Sequence, residues 1–236
     1  MSLELALQDG RRLAARGADR WLLCDGPADA APPRELLARN AALQPPLKLV
    51  LDAAGAPRLR AEWPLESAAD AGEALPQLAS LIREPAGAAV GGAELHGLAQ
   101  AAGWPATQRN ETLCAVALEC DAAVSALLSA PAGAVRAIVE IADLKEAPAA
   151  CAEAVAILLL RVAGAVRFVR PVFAEGSAWL EAAFPSLPDA AALGEGLAAL
   201  SIAWQMAGRE GAALARDKSL AADFLTLQPT ITKETS

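Results

Sequence analysis

The clearest alternation of apolar and polar positions lies between residues 47 and 63. In Leu47-Lys48-Leu49-Val50-Leu51-Asp52 and Arg58-Leu59-Arg60-Ala61-Glu62-Trp63, an apolar side chain falls at every second place. Successive side chains of a strand point to opposite faces, so Leu47, Leu49, Leu51, Leu59, Ala61 and Trp63 share one face of a hairpin. Residues 53–57 suit a short hairpin loop in which Gly55 takes a left-handed backbone. The opposite face carries Lys48, Val50, Asp52, Arg58, Arg60 and Glu62 and reads as solvated. A second hairpin is predicted over 167–173 and 178–184. There the same alternation puts Val169, Pro171, Phe173, Trp179 and Ala183 away from the core, relieved only by Arg167 and Glu181. An apolar sheet face marks a contact surface, either to another part of the chain or to a partner peptide.

Other elements follow from helical spacing and breakers. Leucines mixed with Arg11 and Arg12 predict a helix over 3–15 ended by Gly17, followed by a short strand at 21–24. Pro32 and Pro33 open a helix through Leu36, Leu37 and Leu43, since proline is accepted in a first turn. A helix over 67–82 closes the first half. The second half reads as a helix over 93–102, strands at 112–118, 124–129 and 135–142, and a helix from Pro148 to residue 162. The second hairpin and a long helix over 188–215 complete it. The helix at 149–162 is apolar nearly all round in its second half and is therefore covered on more than one side. That cover comes either from its own half or from the other one.

The two hairpins and their flanking helices repeat one plan. Gly55, Leu59, Ala61, Trp63 and Pro64 align with Gly176, Leu180, Ala182, Phe184 and Pro185. With a one-residue shift, Gly72, Glu73, Leu75 and Leu78 align with Gly194, Glu195, Leu197 and Leu200, and Leu36, Leu37 and Arg39 with Leu158, Leu159 and Arg161. Matched order across helix, hairpin and helix argues for duplication. The organisation read from this is a shortened unit at 1–84, a glycine- and alanine-rich linker at 85–92, a full unit at 93–228 and a flexible tail at 229–236.

The second half, read as helix, three strands, helix, two strands and helix, resembles the small chaperones of type III secretion systems, the Tir-chaperone or CesT-type family, and their YbjN-like relatives. The first half, with "LLARNAAL" before a hairpin and "LRAEWPL" before a helix, resembles a shortened version that lacks strands. The resemblance implies an α+β fold of two tandem units, each an antiparallel sheet flanked by helices. It also implies a cytoplasmic chaperone that holds an extended segment of another protein, such as a secreted effector. Family members dimerise; two units in one chain imply a monomer with an internal pseudo-dimer, packed through Val155, Leu158, Leu159 and Val162 against Leu36 and Leu37. Alternatives are a structural or regulatory subunit bound to a folded partner, and an enzyme with an unrecognised site.

Composition narrows the partners. The chain has 236 residues, 55% of them apolar but only 4% aromatic, with a net charge of −8 and no lysine or arginine cluster. Phosphate backbones require concentrated basic surface, so the expected client is protein or peptide and not nucleic acid. The longest apolar run, 154–160, is far shorter than a bilayer requires, and the first residues show no secretory pattern, so no membrane role and a cytoplasmic location are expected. Cys24, Cys114, Cys120 and Cys151 are scattered without a CxxC pair and His96 is the single histidine. Metal sites depend on close ligand spacing, so these cysteines read as reduced, small core residues. Residues 87–92 lack the lysine and hydroxyl residue of a phosphate loop. No catalytic residue, metal ligand or cofactor is expected.

Overall fold

The computed structural model describes residues 3–83, 87–120 and 123–228. The fold is α+β, built on two antiparallel sheets. The first unit runs β1 (Leu3–Ala6), β2 (Arg12–Ala18), β3 (Trp21–Pro27), α1 (Pro33–Ala42), β4 (Leu47–Leu51), β5 (Pro57–Pro64) and α2 (Ala71–Arg83). The second runs α3 (Gly92–Ala101), β6 (Ala106–Gln108), β7 (Leu113–Ala117), β8 (Ser125–Ser129), β9 (Val135–Asp143), α4 (Ala149–Ala165), β10 (Val169–Ala174), β11 (Ser177–Phe184), α5 (Ala190–Arg216) and α6 (Lys218–Thr226). The sheet orders are β1-β2-β3-β5-β4 and β10-β11-β9-β8-β7-β6.

The wiring of the two units is the same. Three strands, a helix, a hairpin and a helix follow one another in both, and β1-β2-β3-β5-β4 corresponds strand for strand to β7-β8-β9-β11-β10. Gly55 and Gly176, aligned from sequence, both take left-handed backbone at φ 84° and 86° in their hairpin turns. The second unit adds α3 and the edge strand β6 at its start, and α6 at its end.

Residues 3–15 are not a helix but most of a hairpin. Leu5 of β1 lies opposite Leu13 of β2, both 1% exposed, and β2 pairs on with β3. Gly10 at φ 85° makes the turn, helped by the Asp9 carboxylate, which accepts from the Arg11 N–H at 3.1 Å. Burial of the alternating leucines against α2 outweighs the helix preference of Ala, Leu and Arg. The first unit therefore does have three strands before α1; what it lacks are counterparts of α3, β6 and α6.

Helices are tied down by local polar contacts. Asn40 of α1 is fully buried and bonds the Leu49 backbone in both directions, donating to its carbonyl at 2.9 Å and accepting from its N–H at 2.6 Å. Asp189 caps α5 by accepting from the Ala192 N–H at 2.8 Å. Asp217 ends α5 and caps α6, accepting from the N–H groups of Ser219 and Leu220 at 2.9 and 3.1 Å.

One continuous core joins both units, and their contact is reciprocal. Helix α4 packs on β4, α1 packs on β10, and α1 and α4 pack on each other. Every such pair maps onto another, or onto itself, when the two units are exchanged, as at the isologous interface of a two-fold dimer. Leu36 and Leu37 of α1 and Val155, Leu158, Leu159 and Val162 of α4 are buried, and Leu158 faces the Gly211 position of α5 in its own unit.

The exchange extends to single cations. Lys48 of β4 and Arg170 of β10 occupy equivalent register positions, opposite Arg60 and Glu181, which the repeat also equates. Lys48 Nζ pairs with Glu62 at 2.7 Å and donates to the carbonyls of Ala163, Val166 and Val169 at 2.8, 3.1 and 3.1 Å, closing the C-terminal end of α4. Arg170 Nε pairs with Glu181 at 2.6 Å, while its Nη1 donates to the carbonyl of Leu43, the residue that ends α1, at 2.8 Å. Each unit thus places a buried cation on the negative end of the other unit's central helix. This corrects the solvated reading of the first hairpin's polar face. Lys48, Val50 and Glu62 are 2%, 0% and 6% exposed because the second unit lies over them. Gly164 marks a close approach of the two units, since a Cβ there would stand 2.6 Å from the Leu51 carbonyl oxygen.

Candidate functional site

Each sheet packs helices on its core face and leaves part of the other face without a helix. In the first sheet that open face carries Arg12, Ala14 and Arg16 from β2, Trp21, Leu23 and Asp25 from β3, and Arg58 and Arg60 from β5, as the strand register dictates. In the second it carries Leu113 and Ala115 from β7, Leu127 and Ser129 from β8, Arg136, Ile138 and Glu140 from β9, and Trp179 from β11. Leu113, Leu127, Ile138 and Trp179 are all half-buried and run across four strands. Position for position, Asp25 is replaced by Ile138, Arg58 by Trp179 and Ala14 by Leu127. The first face is dominated by charge, whereas the second carries an apolar strip flanked by Arg136 and Glu140.

The register of the second hairpin differs from the sequence reading. Glu175 and Gly176, both at positive φ, form a two-residue turn that pairs Ala174 with Ser177. Val169, Pro171 and Phe173 therefore lie opposite Ala182, Leu180 and Ala178, on the core face. Trp179 and Ala183 lie on the other face, with Arg170, Val172 and Glu181. The five residues expected to form one patch are split between two faces, and Val169, Pro171 and Ala183 are buried while Phe173 and Trp179 are half-buried. The Phe173 ring is covered by the Arg34 guanidinium of α1, 5.4 Å from its centroid. The Trp179 indole N–H points back to the Ala174 carbonyl at 3.4 Å.

The charged face deepens into a cleft of about 370 Å³ where it meets the C-terminal end of α4. Its rim holds Arg16, Asp25, Arg58, Arg60, Gly164 and Arg167. Asp25 binds two arginines: Oδ2 accepts from Arg58 Nε at 3.1 Å and from its Nη2, and Oδ1 accepts from Arg60 Nε at 2.7 Å. Burial pushes the Asp25 carboxyl up, but the hydrogen bonds and charges of the two arginines together hold it below the usual carboxylate range. Arg60 Nη1 also donates to the Gly164 carbonyl at 2.8 Å, tying the face to the second unit. Arg167 sits over the Trp21 ring at 5.9 Å and stands 3.9 Å from Asp19. Trp21 in turn meets Phe168, and Phe168 meets Phe184.

The cleft is lined mainly by arginine and small apolar side chains. Cys24 borders it, but burial pushes its thiol up to about 12, far from the thiolate that a nucleophile requires. His96 is half-buried on α3, in the second unit, and does not border the cleft. Among the described residues no group of three or more His, Cys, Asp or Glu side chains is arranged to hold a metal, and no helix is long and apolar enough to cross a membrane. Sequence reasoning treated the arginines of β5 as ordinary solvated charge. Their alternation with Leu59 and Ala61, facing Asp25 on the neighbouring strand, was the available signal. Compared with known proteins, the chain matches no family model, no curated protein and no solved structure.

Proposed function

We propose that the protein is a non-enzymatic, chaperone-like binder that holds an extended segment of another polypeptide on its open sheet faces. The observation that supports this most is the strip Leu113, Leu127, Ile138 and Trp179, apolar across four strands and without a helix over it. An extended peptide laid on such a face covers these side chains with its own alternate apolar residues. The reciprocal packing of the two units gives the segment a rigid support and takes the place of a homodimer.

The test is binding of a fluorescein-labelled extended peptide of alternating leucine and serine, followed by anisotropy. Micromolar affinity, about −8 kcal/mol, is the expected scale. Ile138→Asp and Trp179→Asp should retain the wild-type circular dichroism and weaken binding about tenfold or more, and the bound peptide should resist proteolysis. Wild-type affinity in both folded variants, or no affinity in the wild type, would overturn the reading.

A further inference from the structure

The arginine-rimmed cleft of the first unit stands apart from the apolar strip, and its chemistry points to a particular ligand. Arg58 and Arg60 share one carboxylate, so the trio of Arg58, Arg60 and Asp25 keeps one positive charge in excess. Those contacts use Nε and Nη2 of Arg58 and Nε and Nη1 of Arg60. Arg58 Nη1 and Arg60 Nη2 remain to donate to a further acceptor. Arg16 is exposed on the same face and Arg167 stands across the cleft. This concentration of guanidinium groups occurs on a chain whose net charge is −8.

We propose that this cleft binds carboxylate side chains of an extended acidic peptide segment; the inference rests on the peptide-holding reading above and names the chemistry of the segment at this face. Arg58 and Arg60 are two residues apart on one strand, a repeat of roughly 6.8 Å. That is also the spacing of alternate side chains in an extended peptide, so acidic residues at alternate places meet successive arginines. Guanidinium and carboxylate are matched in shape and make paired, charge-assisted hydrogen bonds. A compact dianion is disfavoured, because Asp25 occupies the point where Arg58 and Arg60 converge. Nucleic acid is disfavoured by the negative charge of the rest of the molecule. Trp21 and Leu23, half-buried on the same face, offer apolar contact to the stems of the acidic side chains.

The experiment uses fluorescein-labelled peptides alternating glutamate or glutamine with serine, the full-length protein, and the charge reversals Arg16→Glu and Arg167→Glu. Both side chains are substantially exposed and neither makes a buried contact, so both variants should fold. The glutamate peptide should bind the wild type, weaken sharply between low salt and roughly 0.3 M salt, and lose about tenfold or more in affinity in the double reversal. The glutamine peptide should not bind. Equal binding of the two peptides, unchanged affinity in the folded double reversal, or full displacement by inorganic phosphate at matched charge would each overturn the proposal, the last by making the cleft a small-anion site. The leucine–serine peptide is run alongside. If it binds and the glutamate peptide does not, this inference alone fails; if neither binds, the peptide-holding reading fails with it.

Discussion

Replacing Lys48 by methionine tests whether the two units are locked by exchanged cations. The side chain is 2% exposed, pairs with Glu62 and bonds three carbonyls of the other unit. Burial pulls its ammonium below the usual lysine range, opposed by the Glu62 charge, so the pair is held in a costly environment. Methionine fills the space but leaves the Glu62 carboxylate, 6% exposed, with only the Phe168 N–H at 2.6 Å as partner. Removing one member of a buried ion pair costs roughly 3–5 kcal/mol. At about 2–4 °C per kcal/mol for a chain of this size, the melting temperature should fall by roughly 6–20 °C. Adding Glu62→Gln keeps an acceptor for Phe168 and removes the stranded charge, so the double variant should recover more than half of the loss. Calorimetry of wild type, both single variants and the double variant gives the coupling energy directly. Because the acceptors belong to the second unit, the destabilisation should move a single transition that includes both. A Lys48→Met variant melting within about 2 °C of the wild type would refute the reasoning.

Three further outcomes are expected. Arg170→Met should also destabilise, but at or below the lower end of the ~3–5 kcal/mol range, because Arg136 Nε stays 3.5 Å from the Glu181 carboxylate and shares its charge; urea midpoints of the two variants give the ranking. Gly164→Ala should cost about 1–3 kcal/mol by driving a Cβ against the Leu51 carbonyl, while Gly97→Ala, with no atom within 4 Å of its Cβ, should add about 0.5–1 kcal/mol by removing a flexible glycine from α3. The Asp25 carboxyl is held below its ordinary value of 3.8, so its contribution is complete above that pH and is lost as pH falls through the lower folded value. The stability difference between wild type and Asp25→Asn should therefore shrink on acidification below about 4, which urea titrations at several pH values would show.

The hairpins were legible because alternation and a turn glycine coincide at 47–63 and again at 167–184, and the duplication was legible through them. The register of the second hairpin was not, because parity depends on loop length. Five residues link Leu51 to Pro57 and keep odd positions opposite odd ones, whereas the two-residue turn at Glu175 and Gly176 sets odd against even. The β1–β2 hairpin was hidden by alanine, leucine and arginine, all good helix formers. The Asp9-Gly10 pair between alternating leucines was the local mark of a turn. Strand β6 has three residues and no apolar pattern, and α6 is set off from α5 only by the cap at Asp217. The burial of Lys48 and Glu62 depends on a helix more than a hundred residues away, which no local pattern records.

A homodimer assembled from one gene product must carry every surface change twice, once on each partner. Two units within one chain are free of that obligation, while the handshake of Lys48 and Arg170 holds them in a reciprocal arrangement. One face gathers arginines while its counterpart carries a greasy strip, so a single chain presents two dissimilar sheet surfaces.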